Sequence, residues 1–217
     1  MKIMPKQINT NLFKYYSGII GIGLFIITIV VGGFTYNGYN HFSQLISEMY
    51  AKNTKFGIYL RLFGFFPSGL LIAWFTHFVC KRVKIIYNPN SLISIGILGM
   101  GVFYGLFTAL SSVFVCNIDC KGTGISQSIH NILGAITYLL TPICIFLIAI
   151  GLRKNKNIKR YSIFFWFTSL SSMVSVIIFL NFHNRQFEGI IQRITEAFFL
   201  ITILMLYKIA KPYQLKT

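Results

Sequence analysis

The sequence predicts an all-α, polytopic integral membrane protein: a bundle of six transmembrane helices with both termini in the cytoplasm. Three observations predict it. The 217 residues have a mean hydropathy of +0.67 and only 11% are charged, against about a quarter charged in an ordinary soluble domain. The apolar residues gather into six runs of the length, about 20 helical residues, that crosses a hydrocarbon layer of about 30 Å. The cations are concentrated in alternate connections between those runs.

In chain order the runs are Tyr16 to Thr35, Phe56 to Val79, Leu92 to Val115, Ser128 to Leu152, Ser162 to Phe182 and Phe187 to Ile209. They are continuous rather than alternating, which selects helices over barrel strands. The sixth is the most interrupted, by Gln192, Arg193 and Glu196. The first follows a short basic start, as a signal peptide does. However, Val31-Gly-Gly-Phe-Thr-Tyr36 offers no small-residue cleavage site, so a retained span is expected. No internal repeat or linker divides residues 1–217, which read as a single six-span domain.

Orientation follows from charge. Lys2, Lys6 and Lys14 precede the first run. Lys81, Arg82 and Lys84 follow the second, Arg153, Lys154, Lys156, Lys159 and Arg160 follow the fourth, and Lys208, Lys211 and Lys216 follow the sixth. The other connections hold only Lys52, Lys55, Lys121 and Arg185. The positive-inside rule then puts both termini in the cytoplasm. A net charge of +16 in a soluble chain would raise nucleic acid as a partner. Distributed in this way it marks topology, and the expected partners are membrane lipids.

On this topology all four acids, Glu48, Asp119, Glu188 and Glu196, fall toward the outer side, with His41, His130 and His183; His77 falls near the cytoplasmic side. Charge is costly in the apolar zone, so Arg61, Arg193 and Glu196 are expected to face the bundle or a wet cavity and to be paired. Arg193 and Glu196 stand three apart and can share a helix face, and Glu188, Gln192 and Glu196 form a polar stripe at four-residue spacing.

The stretch VFVCNIDCKGTGISQSIHN, Val113 to Asn131, joins the third and fourth runs. Gly122 and Gly124 allow a turn, and Ser126 or Ser128 is expected to cap the fourth helix. Cys116 and Cys120 admit three readings, a disulfide in an oxidising compartment, unpaired thiols or a metal site, and spacing does not choose among them. No cofactor is demanded. Zinc on His41, Asp119, His130 and His183 is the one metal set the residues offer, without HExxH or a close histidine pair.

Small residues define packing surfaces. Gly101 with Gly105, and Gly64 with Ser68, make notches for a neighbouring helix, within the chain or in a helix-mediated oligomer. Thr168, Ser171, Ser172 and Ser175 give the fifth run an internal polar face, and Pro67 and Pro142 are expected to bend the second and fourth.

Three segments carry a family resemblance: YNHFSQLISEM (Tyr39 to Met49), VCNIDC with ISQSIHNILG (Ile125 to Gly134), and EGIIQRITEAF (Glu188 to Phe198). In order and placement they resemble the uncharacterised six-span bacterial membrane family known as domain of unknown function 998. Its pattern has Ile-Ser-Glu after the first helix, matched by Ile46, Ser47 and Glu48. A Cys-x3-Cys loop precedes a His-Asn helix start, matched by Cys116, Cys120, His130 and Asn131. A Gly-x2-Gln-Arg start to the last helix is matched by Gly189, Gln192 and Arg193. The resemblance spans nearly the whole chain, implies the six-span fold and points at these residues; it implies no activity.

The leading functional expectation is an outward-facing polar pocket for a lipid headgroup or another small ligand, built from Glu48, Arg61, Asp119, His130, Asn131, Gln192, Arg193 and Glu196. In it the arginines would receive phosphate or carboxylate. A membrane-embedded hydrolase is a second class, with Glu48, Asp119 or His130 activating water, with or without metal. A structural or assembly module is a third. A transporter is a fourth, lacking a visible inverted repeat.

Overall fold

The computed structural model describes residues 12–181 and 186–210. All regular structure among them is helical. Six helices are long and apolar enough to cross a membrane: α1 Leu12–Thr35, α2 Gly57–Tyr87, α3 Ser91–Val113, α4 Ile125–Arg153, α5 Lys159–Asn181 and α6 Glu188–Ala210. The chain is an integral membrane protein by this length and composition. Each helix packs on its predecessor, and α6 closes the ring against α1 and α2.

The observed helices match the apolar runs to within a few residues except in α2. That helix continues past Val79 to Tyr87 and carries Lys81, Arg82 and Lys84 on its last turns. Arg82 is buried there, and its Nε donates to the carbonyl of Ala210 at 2.5 Å. A guanidinium on the last carbonyls of α6 satisfies acceptors that have no helical partner and complements the helix dipole.

In lipid, helices associate through close packing and interhelical hydrogen bonds rather than hydrophobic transfer, at about 0.6 kcal/mol per polar contact. The sequence supplies both. A Cβ on Gly105 would lie 2.7 Å from the Ala73 nitrogen, so α3 reaches the backbone of α2 only because that atom is missing. Gly64 and Ser68 face α1 in the same way, with Ser68 Oγ donating to Gly21 O at 2.8 Å. Thr137 of α4 donates to Phe103 O of α3 (2.8 Å), Ser169 of α5 to Pro142 O of α4 (3.0 Å), and Thr195 of α6 to Ser175 Oγ (2.9 Å).

Two expectations about helix geometry change. Ser126 and Ser128 do not cap α4; Gly124 precedes the helix, and Ser126 Oγ instead donates to Val115 O at 2.8 Å, fastening the helix start to the end of α3. The irregularity in α2 is a π segment, Arg61–Phe65, immediately ahead of Pro67, and α3 has a second at Met100–Leu106. Each wide turn re-aims one aromatic, Phe65 or Tyr104, onto Phe25 of α1.

Candidate functional site

The three motif segments meet at one end of the bundle, and most of their polar atoms bind one another. The loop after α1 docks on the start of α6. Ile190 N–H donates to Phe42 O (2.9 Å), Ile46 N–H donates to Gln192 Oε1 (2.8 Å), and Arg193 Nη1 donates to Gln44 O (3.0 Å) and Gly189 O (2.8 Å). Arg193 Nη2 donates to Tyr39 Oη at 2.5 Å. Gly189 is required by contact, since a Cβ there would lie 2.7 Å from His41 O. Burial holds the Tyr39 phenol up at about 12 although Arg193 pulls it down, so it stays protonated at neutral pH. Its hydroxyl can then donate to Leu45 O (2.8 Å).

Glu48 belongs to this scaffold. Its Oε1 accepts from Leu45 N–H (2.9 Å) and its Oε2 from Gln44 Nε2 (3.1 Å), capping the short 3-10 helix Ile46–Tyr50. It does not line the cavity that lies beneath the scaffold.

The loop between α3 and α4 is fastened beside it. Cys116 and Cys120 are joined by a disulfide, Lys52 N–H donates to Cys116 O (2.8 Å), and Ser47 Oγ lies 3.1 Å from Cys120 Sγ. Asp119 and Cys120 take left-handed φ values of 57° and 50°, and Gly122 and Gly124 have φ of 95° and 137°. Gln127, buried in the first turn of α4, accepts from Asn117 N–H (2.7 Å) and donates to Cys120 O (3.2 Å) and Asn131 Oδ1 (2.8 Å). His130 Nδ1 lies 2.8 Å from Phe114 O and 3.1 Å from Ser111 O. Both partners only accept, so Nδ1 carries the proton and Nε2 is left without a protein partner among the described residues.

Beneath this cap lies a cavity of about 310 Å³. Glu196, Gln192, His130 and Asn131 are in its wall, with Tyr50 and Tyr138. Glu196 is 8% exposed, and each of its oxygens receives one phenol: Oε2 from Tyr104 (2.8 Å) and Oε1 from Tyr138 (2.5 Å). The rest of the wall mixes apolar side chains, among them Phe25, Phe65 and Phe179, with the small polar residues Ser47, Thr108, Ser111 and Thr137. Leu139 and Leu180 are each 50% exposed and line it, as do Asn131 and Ala135, so the hollow opens between α4 and α5. A smaller hollow of about 260 Å³ between α1 and α6 touches Arg193 and Glu196 from the other side.

Of the sequence-predicted pocket, the cavity brings together His130, Asn131, Gln192 and Glu196. Glu48, Arg61, Asp119 and Arg193 stand outside its wall. Arg193 and Glu196 form no ion pair: Arg193 is engaged by the loop after α1, and Glu196 by two tyrosines. Arg61 Nε donates to Gly57 O of its own helix (3.3 Å), without a carboxylate partner among the described residues. Asp119 is exposed at the disulfide turn. The zinc set does not assemble from His41, Asp119 and His130, and His183 lies outside the described residues. The only ligand-spaced cluster among the described residues is Cys116, Cys120 and His130. Its sulfurs are committed to the disulfide, whereas zinc binds thiolates.

Tyr104 and Tyr138 went unnoticed in the sequence, where each is one aromatic among many. A signal existed, since a phenol inside a span seeks a polar partner and Glu196 is the deepest acid. Gln127, the hinge of the cysteine loop, and Gly134, a bare patch of cavity wall, left no such signal.

A six-helix membrane bundle with a capped, side-opening cavity is the class these features define. The model of the family "Protein of unknown function (DUF998)" matches residues 19–207, and the chain belongs to that family. No curated protein and no solved structure matches it.

Proposed function

We propose that this protein binds an amphiphilic small molecule or lipid headgroup in the capped cavity. The polar end rests near Glu196, Gln192 and His130, and the apolar part leaves between α4 and α5. The observation that carries this reading is the combination of a buried carboxylate in the wall with half-exposed leucines at the opening. A ligand site in lipid needs polar groups at depth and an apolar route to them. The uneven distribution of cations supports a cavity end that faces outward, with the termini in the cytoplasm of a bacterial cell.

Gly134 supplies the test. It lines the cavity, and a Cβ there meets nothing within 4 Å, so Gly134→Leu fills the hollow without displacing backbone. Gly23 on α1 has equal room but is outside that wall, making Gly23→Leu the control. Native mass spectrometry in maltoside detergent, with C14 chains bearing trimethylammonium, phosphate or glyceryl-ether heads, should give a saturable one-to-one adduct with at least one probe. The adduct should survive Gly23→Leu and be lost in Gly134→Leu. No saturable adduct, or equal retention by both variants, refutes the reading.

Hydrolysis is the second reading, favoured by the fixed His130 ring with its free Nε2. Release of myristate from monomyristoylglycerol, lost in His130→Gln, would support it; no release by the parent protein counts against it.

A further inference from the structure

We infer that the cavity selects a cationic head, an ammonium or quaternary ammonium group on an alkyl chain, and rejects phosphate. This deepens the proposed binding reading and rests on it. No lysine or arginine lines the cavity. The two arginines that a sequence reading assigns to an anionic headgroup are turned elsewhere, Arg61 to Gly57 O and Arg193 to Gln44 O, Gly189 O and Tyr39. What does line it is Glu196, more than nine-tenths buried. Tyr104 and Tyr138 solvate its two oxygens but bring no countercharge, and among the described residues no cation stands within ion-pair distance.

A carboxylate has about four lone-pair sites, so two hydroxyls leave capacity for a donor from the cavity side. His130 Nε2 offers a second acceptor when the ring is neutral. An anionic head entering here would meet the Glu196 carboxyl group in a low-dielectric setting with no lysine or arginine in the wall to receive it. An ammonium would supply the missing countercharge. The rings of Phe25, Phe65, Tyr50 and Tyr138 also stand in the wall, and aromatic faces attract quaternary ammonium groups most strongly once water is excluded. The alkyl chain then follows Leu139 and Leu180 out to the lipid.

The test compares four C14 probes on the full-length protein by native mass spectrometry: tetradecyltrimethylammonium, tetradecylphosphocholine, tetradecyl phosphate and the glyceryl ether. At equal concentration the trimethylammonium adduct should exceed the phosphate adduct at least tenfold. Glu196→Gln, which keeps the shape and removes the charge, with one phenol turning to accept from the amide nitrogen, should erase that preference while retaining the glyceryl ether. If Glu196→Gln fails to fold, the parent protein's ranking still decides, with Tyr50→Leu as the second variant, expected to weaken trimethylammonium more than glyceryl ether. Comparable retention of phosphocholine identifies a zwitterionic lipid as the source of the cation; retention of the simple ammonium alone identifies a free amphiphilic cation. A phosphate adduct that equals or exceeds the ammonium adduct overturns this inference and leaves cavity binding intact. Absence of all four adducts removes the binding reading itself.

Discussion

Arg193 and Glu196 stand three residues apart on one helix and do different work. Arg193 donates to two carbonyls and a phenol in the cap, and Glu196 accepts from two phenols in the cavity wall. Removing either leaves buried or half-buried polar groups without their partner, which costs on the order of 3 kcal/mol. Thermal unfolding in detergent should therefore show a large loss for Arg193→Ala and for Glu196→Ala. Lys156→Ala, on an exposed connection, should stay within about 0.5 kcal/mol of the parent. Because the two residues have separate hydrogen-bond partners, the double variant should be at least as unstable as either single variant. Recovery of stability in the double variant would mean that they are a direct ion pair after all. His41 sits at the same cap with its pKa lowered, first by partial burial and then by Arg193, which disfavours a second cation beside the guanidinium.

At the scale of elements, the loops after α1 and α3 are each held by the start of a later helix, α6 and α4 respectively. The disulfide closes the second loop, and the other two cysteines, Cys80 and Cys144, are buried free thiols. Denatured protein isolated with its native redox state and alkylated without reductant should gain two adducts, rising to four after reduction. Four adducts without reductant would show an open cysteine pair. Such a result would also leave Cys116, Cys120 and His130 available as thiolate and imidazole ligands. Loop pairing was the part of this region least visible in sequence. Hydropathy located the spans because lipid imposes a length and a composition on each helix, but nothing in a linear pattern says that Gln192 accepts from Ile46 or that Gln127 grips Asn117. Glu48 illustrates the difficulty: an acid placed outside a span reads as a candidate for chemistry, and its two oxygens turn out to be consumed by capping.

For the whole molecule, the six-helix architecture was legible to within a few residues except at the end of α2, and the family motifs converged on one end of the bundle. Half of the expected pocket residues line the cavity. The rest were misplaced because charge was taken as the mark of a site, while in this fold Arg61, Glu48 and Arg193 satisfy backbone and loop groups. The opposite, cation-rich end is expected to face the cytoplasm. Cysteine-accessibility labelling of intact cells should tag a cysteine at position 121 and spare one at position 156, in a background that keeps Cys116 and Cys120. The reverse pattern would invert the orientation. The most direct test of cavity occupancy is a density map of the protein in a lipid nanodisc containing the trimethylammonium amphiphile. An elongated feature should run from beside Glu196 and Tyr138 out between Leu139 and Leu180, and should vanish in Gly134→Leu. A cavity closed by its own side chains, or one holding only separated waters in both proteins, would contradict it.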